Sequence, residues 1–178
     1  LTIGNDAGCQ FAYLQQDIKA HGTDENALDS DTVDAVMKQL TKQVDYVLDA
    51  RSLPFRWHVN NNEEFNACCY PADYISVNRG VVRGLDCNPD ELAAVLAHEM
   101  THGLRQHSAH NYAKAMAQLY GMAFLNMTTG IMDGNVMAEL TDYYIAKNVT
   151  LPTEYEADEG GFYLMTSARF HTSGSDAA

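Results

Sequence analysis

Two histidines four residues apart, His98 and His102, sit at the end of the apolar run that begins at Leu92, and no other feature limits the fold so strongly. On an α-helix, residues i and i+4 share a face about 6 Å apart along the axis, so both rings reach one point. Imidazoles among apolar neighbours lose hydration unless something satisfies their nitrogens, and a zinc ion does so. Glu99 projects roughly 100° round the helix from His98, near enough to a metal-activated water to take its proton without being a ligand. The helix has independent support. Asn88-Pro89-Asp90-Glu91 offers an N-cap, a proline at the first helical position and a capping-box glutamate, and Leu92, Val95, Leu96 and Met100 follow at helical spacing. The residues alone leave one alternative open, two structural histidines that meet this spacing by chance.

His98-Glu99-Met100-Thr101-His102 is the HExxH arrangement of zinc hydrolases. A catalytic zinc needs three protein ligands and an open position, so a third donor must come from elsewhere. The segment Glu154-Tyr155-Glu156-Ala157-Asp158-Glu159-Gly160-Gly161 offers candidates. If it is helical, Glu154 and Asp158 share a face, with Glu154 placed to bind zinc and Asp158 to accept the free N–H of a ligating histidine. Gly160 and Gly161 each cost about 1 kcal/mol in a helix relative to alanine, which close approach to the His98 helix would offset. The bland reading of this run is a solvated acidic face.

HExxH followed at a distance by Glu-x-x-x-Asp resembles the gluzincin metallopeptidases, and specifically the HtpX-like and CAAX-prenyl-protease-like family with its soluble periplasmic, BepA-like branch. The matching pieces are Asn66-Ala67, Tyr74-Ile75-Ser76-Val77, Gly80-Val81, the run from Asp90 into His98-Glu99-Met100-Thr101-His102, and Glu154 to Asp158. The resemblance implies one Zn2+ per chain bound by His98, His102 and Glu154, Glu99 as general base, and Asp158 orienting a ligand histidine. It also implies an α+β zincin-like domain, mainly helical with a small sheet bordering the cleft, and endopeptidase action on unfolded or misassembled cell-envelope proteins. The strand Tyr74-Ile75-Ser76-Val77 is expected to bind substrate by adding an extended peptide to its edge. Two departures stand out. Thr150-Leu151-Pro152-Thr153 replaces the family's Ser-Arg, and the chain ends at Ala178, where relatives continue into a segment carrying a basic or histidine residue. The donor to the oxyanion is therefore unassigned, with His171 and Tyr163 as candidates.

Composition agrees with one catalytic domain over residues 1–178. A formal charge of -13 argues against nucleic acid as a partner, and the resemblance implies polypeptide as the substrate. No apolar stretch approaches the ~20 residues of a membrane span. Leu1 in place of methionine reads as a processed or trimmed start. Cys9, Cys68, Cys69 and Cys87 form no CxxC pair. Their even count suits the cell envelope or secretion and suggests that Cys68 or Cys69 pairs with Cys87; the alternative is four small buried thiols.

The rest is expected to be scaffold. Phe11 to Ile18 reads as a short helix, His21 to Asp29 as a loop, and Val33, Val36, Met37, Leu40, Val44, Val47 and Leu48 as the apolar stripe of a helix capped at Ser30 or Asp31. Arg56 to Val59 and Tyr74 to Val77 read as strands. Gly103 suggests a bend before a helix over Leu104 to Leu125, with His107 and His110 structural, and Gly130 to Asn148 is either core or a lid. The sequons at Asn126 and Asn148 carry little weight. A zinc-stabilised binding or chaperone-like protein is the competing function, against which Glu99 argues, because a structural zinc site has no use for a base.

Overall fold

The computed structural model describes residues 7–44, 53–105 and 151–171. The elements are α1 (Ala7–His21), α2 (Ala27–Val44), β1 (Arg56–Asn60), β2 (Ala67–Tyr70), β3 (Tyr74–Asn78), α3 (Arg79–Gly84), α4 (Pro89–Leu104) and α5 (Leu151–Ser167). Helices thus dominate around one small sheet, an α+β architecture. The expectations for residues 106–150, including His107, His110, the lid and both sequons, lie outside the described residues.

β3 is the centre of the sheet. It pairs in parallel with β1, Arg56 opposite Tyr74, and antiparallel with β2, Ala67 opposite Val77. All five of its residues are buried. This corrects the expectation for Tyr74, Ile75, Ser76 and Val77: a strand hydrogen-bonded on both sides has no free backbone edge to offer a substrate. The β2–β3 hairpin turns through Asp73, whose φ of 56° lies in the left-handed region that aspartate tolerates.

The two faces of the sheet differ in chemistry. On one, Ile75 and Val77 join Val33, Met37 and Leu40 of α2 and Leu92, Leu96 and Met100 of α4 in the hydrophobic core. On the other lies α1, whose buried residues are polar, Gln10 and Asp17. Asn60 Nδ2 is within 3.1 Å of Asp17 Oδ1 and 3.0 Å of both Ser76 Oγ and Asn78 Oδ1, and the Tyr74 hydroxyl donates to Asp17 Oδ2 at 2.5 Å. Burial and this bond to Asp17 push the Tyr74 hydroxyl far above its ordinary range, so it stays a donor.

The loop before α2 is shorter than expected, because α1 runs on to His21 and α2 starts at Ala27. Asn26 is the cap in place of Ser30 or Asp31: its Oδ1 accepts the Leu28 amide at 3.0 Å. α4 begins as its sequence dictates, with the Asn88 side chain accepting the Asp90 and Glu91 amides and Pro89 following the cap. Gly103 makes no bend. It lies within α4, where a β-carbon would come within 2.9 Å of Cys69 Sγ.

That contact corrects the disulfide expectation. Cys69 sits at the C-terminal end of α4 and Cys87 just before its N-terminus, ends that 16 residues of helix hold roughly 24 Å apart. A disulfide requires Cα atoms within about 7 Å, and the neighbouring Cys68 gains only about 4 Å. Among the described residues, Cys9, Cys68, Cys69 and Cys87 form no disulfide. Burial raises the Cys68, Cys69 and Cys87 thiols, which keeps them protonated and unsuited to nucleophilic chemistry.

Candidate metal centre

α5 packs along α4, and the two glycines of its sequence account for the close fit. A β-carbon on Gly161 would lie 2.9 Å from the backbone nitrogen of His98, and one on Gly160 would press on the Thr101 side chain. The helices therefore approach backbone to side chain just where α4 carries its histidines. Glu154, about 1.7 turns before Gly160, then reaches across to both rings.

His98 Nε2 lies 3.1 Å from His102 Nε2 and 3.2 Å from Glu154 Oε2, while His102 Nε2 lies 3.4 Å from Glu154 Oε1. Donor atoms of these three residues all fall within 4.8 Å of one another. Zinc ligands at about 2.0–2.2 Å in a tetrahedron are separated by roughly 1.6 times that length, about 3.3–3.5 Å, so the spacing suits one zinc ion. The protonation pattern points the same way. His98 Nδ1 is 2.8 Å from Asp158 Oδ1, a carboxylate that only accepts, so Nδ1 is the donor, and in the neutral ring this leaves the lone pair on Nε2. That lone pair faces a Glu154 carboxylate oxygen. Two acceptors at this distance repel unless a cation or proton lies between them.

Glu99 is not part of the donor cluster. It is turned round the helix toward β2, where Oε2 accepts the Cys69 amide at 3.1 Å. Burial pushes its carboxyl up to about 7, opposed by nearby His98 and by the Cys69 amide. The Cys69 bond also shows which backbone groups of β2 are free of the sheet. Asn66 pairs with Asn78 through its carbonyl, so Ala67 and Cys69 alternate with it and direct their N–H and C=O groups away from β3.

A cleft of about 550 Å³ opens beside the cluster, with His98, Glu99 and Asp158 in its lining. The structure thus brings His98, Glu99, His102, Glu154 and Asp158 together and leaves out Tyr74 to Val77. Neither oxyanion candidate lines the cleft: Tyr163 is exposed on α5, and the His171 amide donates to Asp90 at the far end of α4. Sequence reasoning missed the edge strand β2. Its one signal was Asn66-Ala67, matched to the family without being read as a strand.

Residues 28–175 match peptidase family M48, so the chain belongs to that family of zinc-dependent metallopeptidases. It is also 34% identical over 84 residues to the mitochondrial metalloendopeptidase OMA1 of Saccharomyces cerevisiae (strain ATCC 204508 / S288c). That match covers 47% of this chain and 24% of the yeast protein. Among the described residues, no helix is long and apolar enough to cross a membrane.

Proposed function

We propose that this protein is a zinc-dependent endopeptidase that cuts unfolded or misassembled polypeptides of the cell envelope. The observation that carries the reading is the convergence of three donors, His98, His102 and Glu154, with Glu99 one position round the same helix and an open cleft beside both. Zinc bound there supplies Lewis acidity, polarising a carbonyl and making water easier to deprotonate. Glu99 takes the proton of the attacking water and passes it to the leaving amine. Asp158 holds the His98 ring with its Nδ1–H outward, which fixes the tautomer that presents Nε2 to the metal.

β2 takes the part first expected of β3. Extended substrate adds beside Ala67, whose outward backbone groups border the Glu99 side of the cleft, and such pairing requires a locally unfolded chain. Location in the cell envelope or outside the cell follows from the resemblance to periplasmic members, and fractionation of the source cells checks it. The activity is tested by incubating purified protein with one substrate in native and denatured forms. The denatured form should be cut faster, a chelator should stop cutting, and Glu99→Gln should keep zinc while losing turnover. Zinc-loaded protein that binds unfolded chains without cutting them would favour the binding function over the peptidase.

A further inference from the structure

We propose that Glu63, held by Arg79 and Arg83 of α3, is a positioning residue that fixes the segment leading into β2 and, with it, the upstream end of the substrate edge. The inference rests on the peptidase reading and on β2 as the strand that pairs with substrate. From Ala67 onward β3 supports β2 residue by residue, Ala67 opposite Val77. Ahead of Ala67 that support runs out. The last residue of β3, Asn78, donates its amide to the Asn66 carbonyl at 3.2 Å, and the chain then turns into α3 at Arg79. Phe65 and Asn66 nevertheless line the cleft, so the approach to the edge needs a holder other than the sheet.

α3 is that holder. The Gly80 amide donates to the Asn62 carbonyl at 3.1 Å, and a β-carbon at Gly80 would overlap the Glu63 carbonyl, so the segment lies directly on the first turn of the helix. Arg79 and Arg83, four residues apart, share a face of α3. Arg79 donates through Nη1 to Asn61 Oδ1 at 3.2 Å and through Nη2 to Glu63 Oε1, while its Nε is buried with no hydrogen-bond partner among the described residues. Its bonds therefore go to this segment. Arg83 brings Nη1 to 3.5 Å from the same Glu63 oxygen.

The rest of the Arg83 guanidinium is anchored in the body of the protein. Nε donates to Asp29 Oδ2 of α2 at 3.1 Å, and Nη2 lies 3.7 Å from Asp24 Oδ1, both carboxylates being buried. Burial opposes charge on both, yet the bonds from Asp24 and Arg83 hold the Asp29 carboxyl below its ordinary range, while burial and the bond to Asp29 raise that of Asp24. Arg83 is thus committed to Asp29, and Glu63 takes its outward end. Through it the segment is tied to α2, whose Val33, Val36 and Met37 stand in the core. The Glu63 side chain is 59% exposed, and an ion pair so open to water adds little to folding. Its effect falls on geometry instead. Backbone hydrogen bonds weaken steeply outside a narrow range of distance and angle, so a substrate running past Ala67 along Phe65 loses bonds when the segment shifts.

Removing Arg83 would leave Asp24 and Asp29 buried without a cation, so the test is made at Glu63 and Arg79. Zinc-loaded protein is given a series of uncharged peptides built on one cleavable sequence and extended stepwise at either end. With the parental protein, extension at one end should lower KM. In Glu63→Ala protein that gain should be lost, with KM for the longest peptide raised roughly fivefold or more while kcat, zinc content and KM for the shortest peptide stay at parental values. Arg79→Ala should act in the same direction, and the double variant should fall short of the sum of the two because both break one pair. About 1 M salt should raise the parental KM for the longest peptide toward that of Glu63→Ala. Extension that lowers KM at neither end, a parental KM for the longest peptide in Glu63→Ala protein, or an equal rise for the longest and shortest peptides overturns the role. If no peptide is cut, the peptidase reading fails by itself, and the positioning is judged by amide hydrogen exchange at Glu64 and Asn66, whose amides donate to Asn62 Oδ1 and the Glu64 carbonyl. Faster exchange there in Glu63→Ala protein supports it, and parental exchange overturns it.

Discussion

The polar groups beneath α1 and those between α4 and α5 are similar in kind and opposite in outcome. Beneath α1, the Asn60 amide lies within hydrogen-bond distance of Asp17, Ser76 and Asn78 and the Tyr74 hydroxyl donates to Asp17, so donors meet acceptors and the carboxylate of a buried aspartate is satisfied from within the protein. Between α4 and α5, the His98 lone pair and the Glu154 carboxylate face each other, acceptor against acceptor, at 3.2 Å. The first arrangement is complete, and a complete network contributes rigidity. The second is complete only with a cation or a proton between the two acceptors, and that incompleteness distinguishes a site from a scaffold.

The largest effect expected of this contrast is at Glu154. Glu154→Ala should remove most of the zinc and all measurable turnover, and elemental analysis beside an activity assay would show both; full zinc occupancy would place the third ligand elsewhere. Next, Asp158→Asn should keep the ligands but loosen the His98 ring, weakening zinc by about 10- to 100-fold in a competition titration with a chelator. Unchanged affinity would mean that the 2.8 Å contact does not orient the ring.

Smaller effects separate packing from chemistry. Gly161→Ala forces α5 off the His98 backbone and should lower stability by about 1–3 kcal/mol in denaturant unfolding, with some loss of zinc affinity because Glu154 moves with the helix. Stability and zinc binding both at parental values would show that the close approach is dispensable. Smallest at the site is Tyr74→Phe. It leaves Asp17 Oδ2 without its donor, so stability should fall by about 1–3 kcal/mol while zinc content and KM stay at parental values. A raised KM would show that the polar network beneath α1 is coupled to the substrate cleft.

Much of the site was legible because its chemistry imposes spacing. His98, Glu99 and His102 are fixed by helical geometry and metal coordination, and the Glu154 and Asp158 pair, with Gly160 and Gly161 after it, carries the partner helix in its own pattern. The sheet was legible only in part. Tyr74 to Asn78 announces a strand, yet nothing in those residues says that it is central, since strand order is set by contacts distant in sequence. β2 escaped because Ala-Cys-Cys-Tyr has neither polar alternation nor β-branched residues. α1 was read too short because it buries Gln10 and Asp17 against a polar sheet face and exposes Phe11 and Ile18, the reverse of the pattern that marks an amphipathic helix.

The central claim is that α4 and α5 together hold one zinc ion through two imidazoles and a carboxylate. X-ray absorption at the zinc edge of the purified protein tests it most directly. The expected result is one zinc per chain with only nitrogen and oxygen neighbours, at about 2.0–2.2 Å, and an imidazole signature from two histidines. Zinc surrounded by sulfur at about 2.3 Å, or a spectrum unchanged in His102→Ala protein, would contradict it.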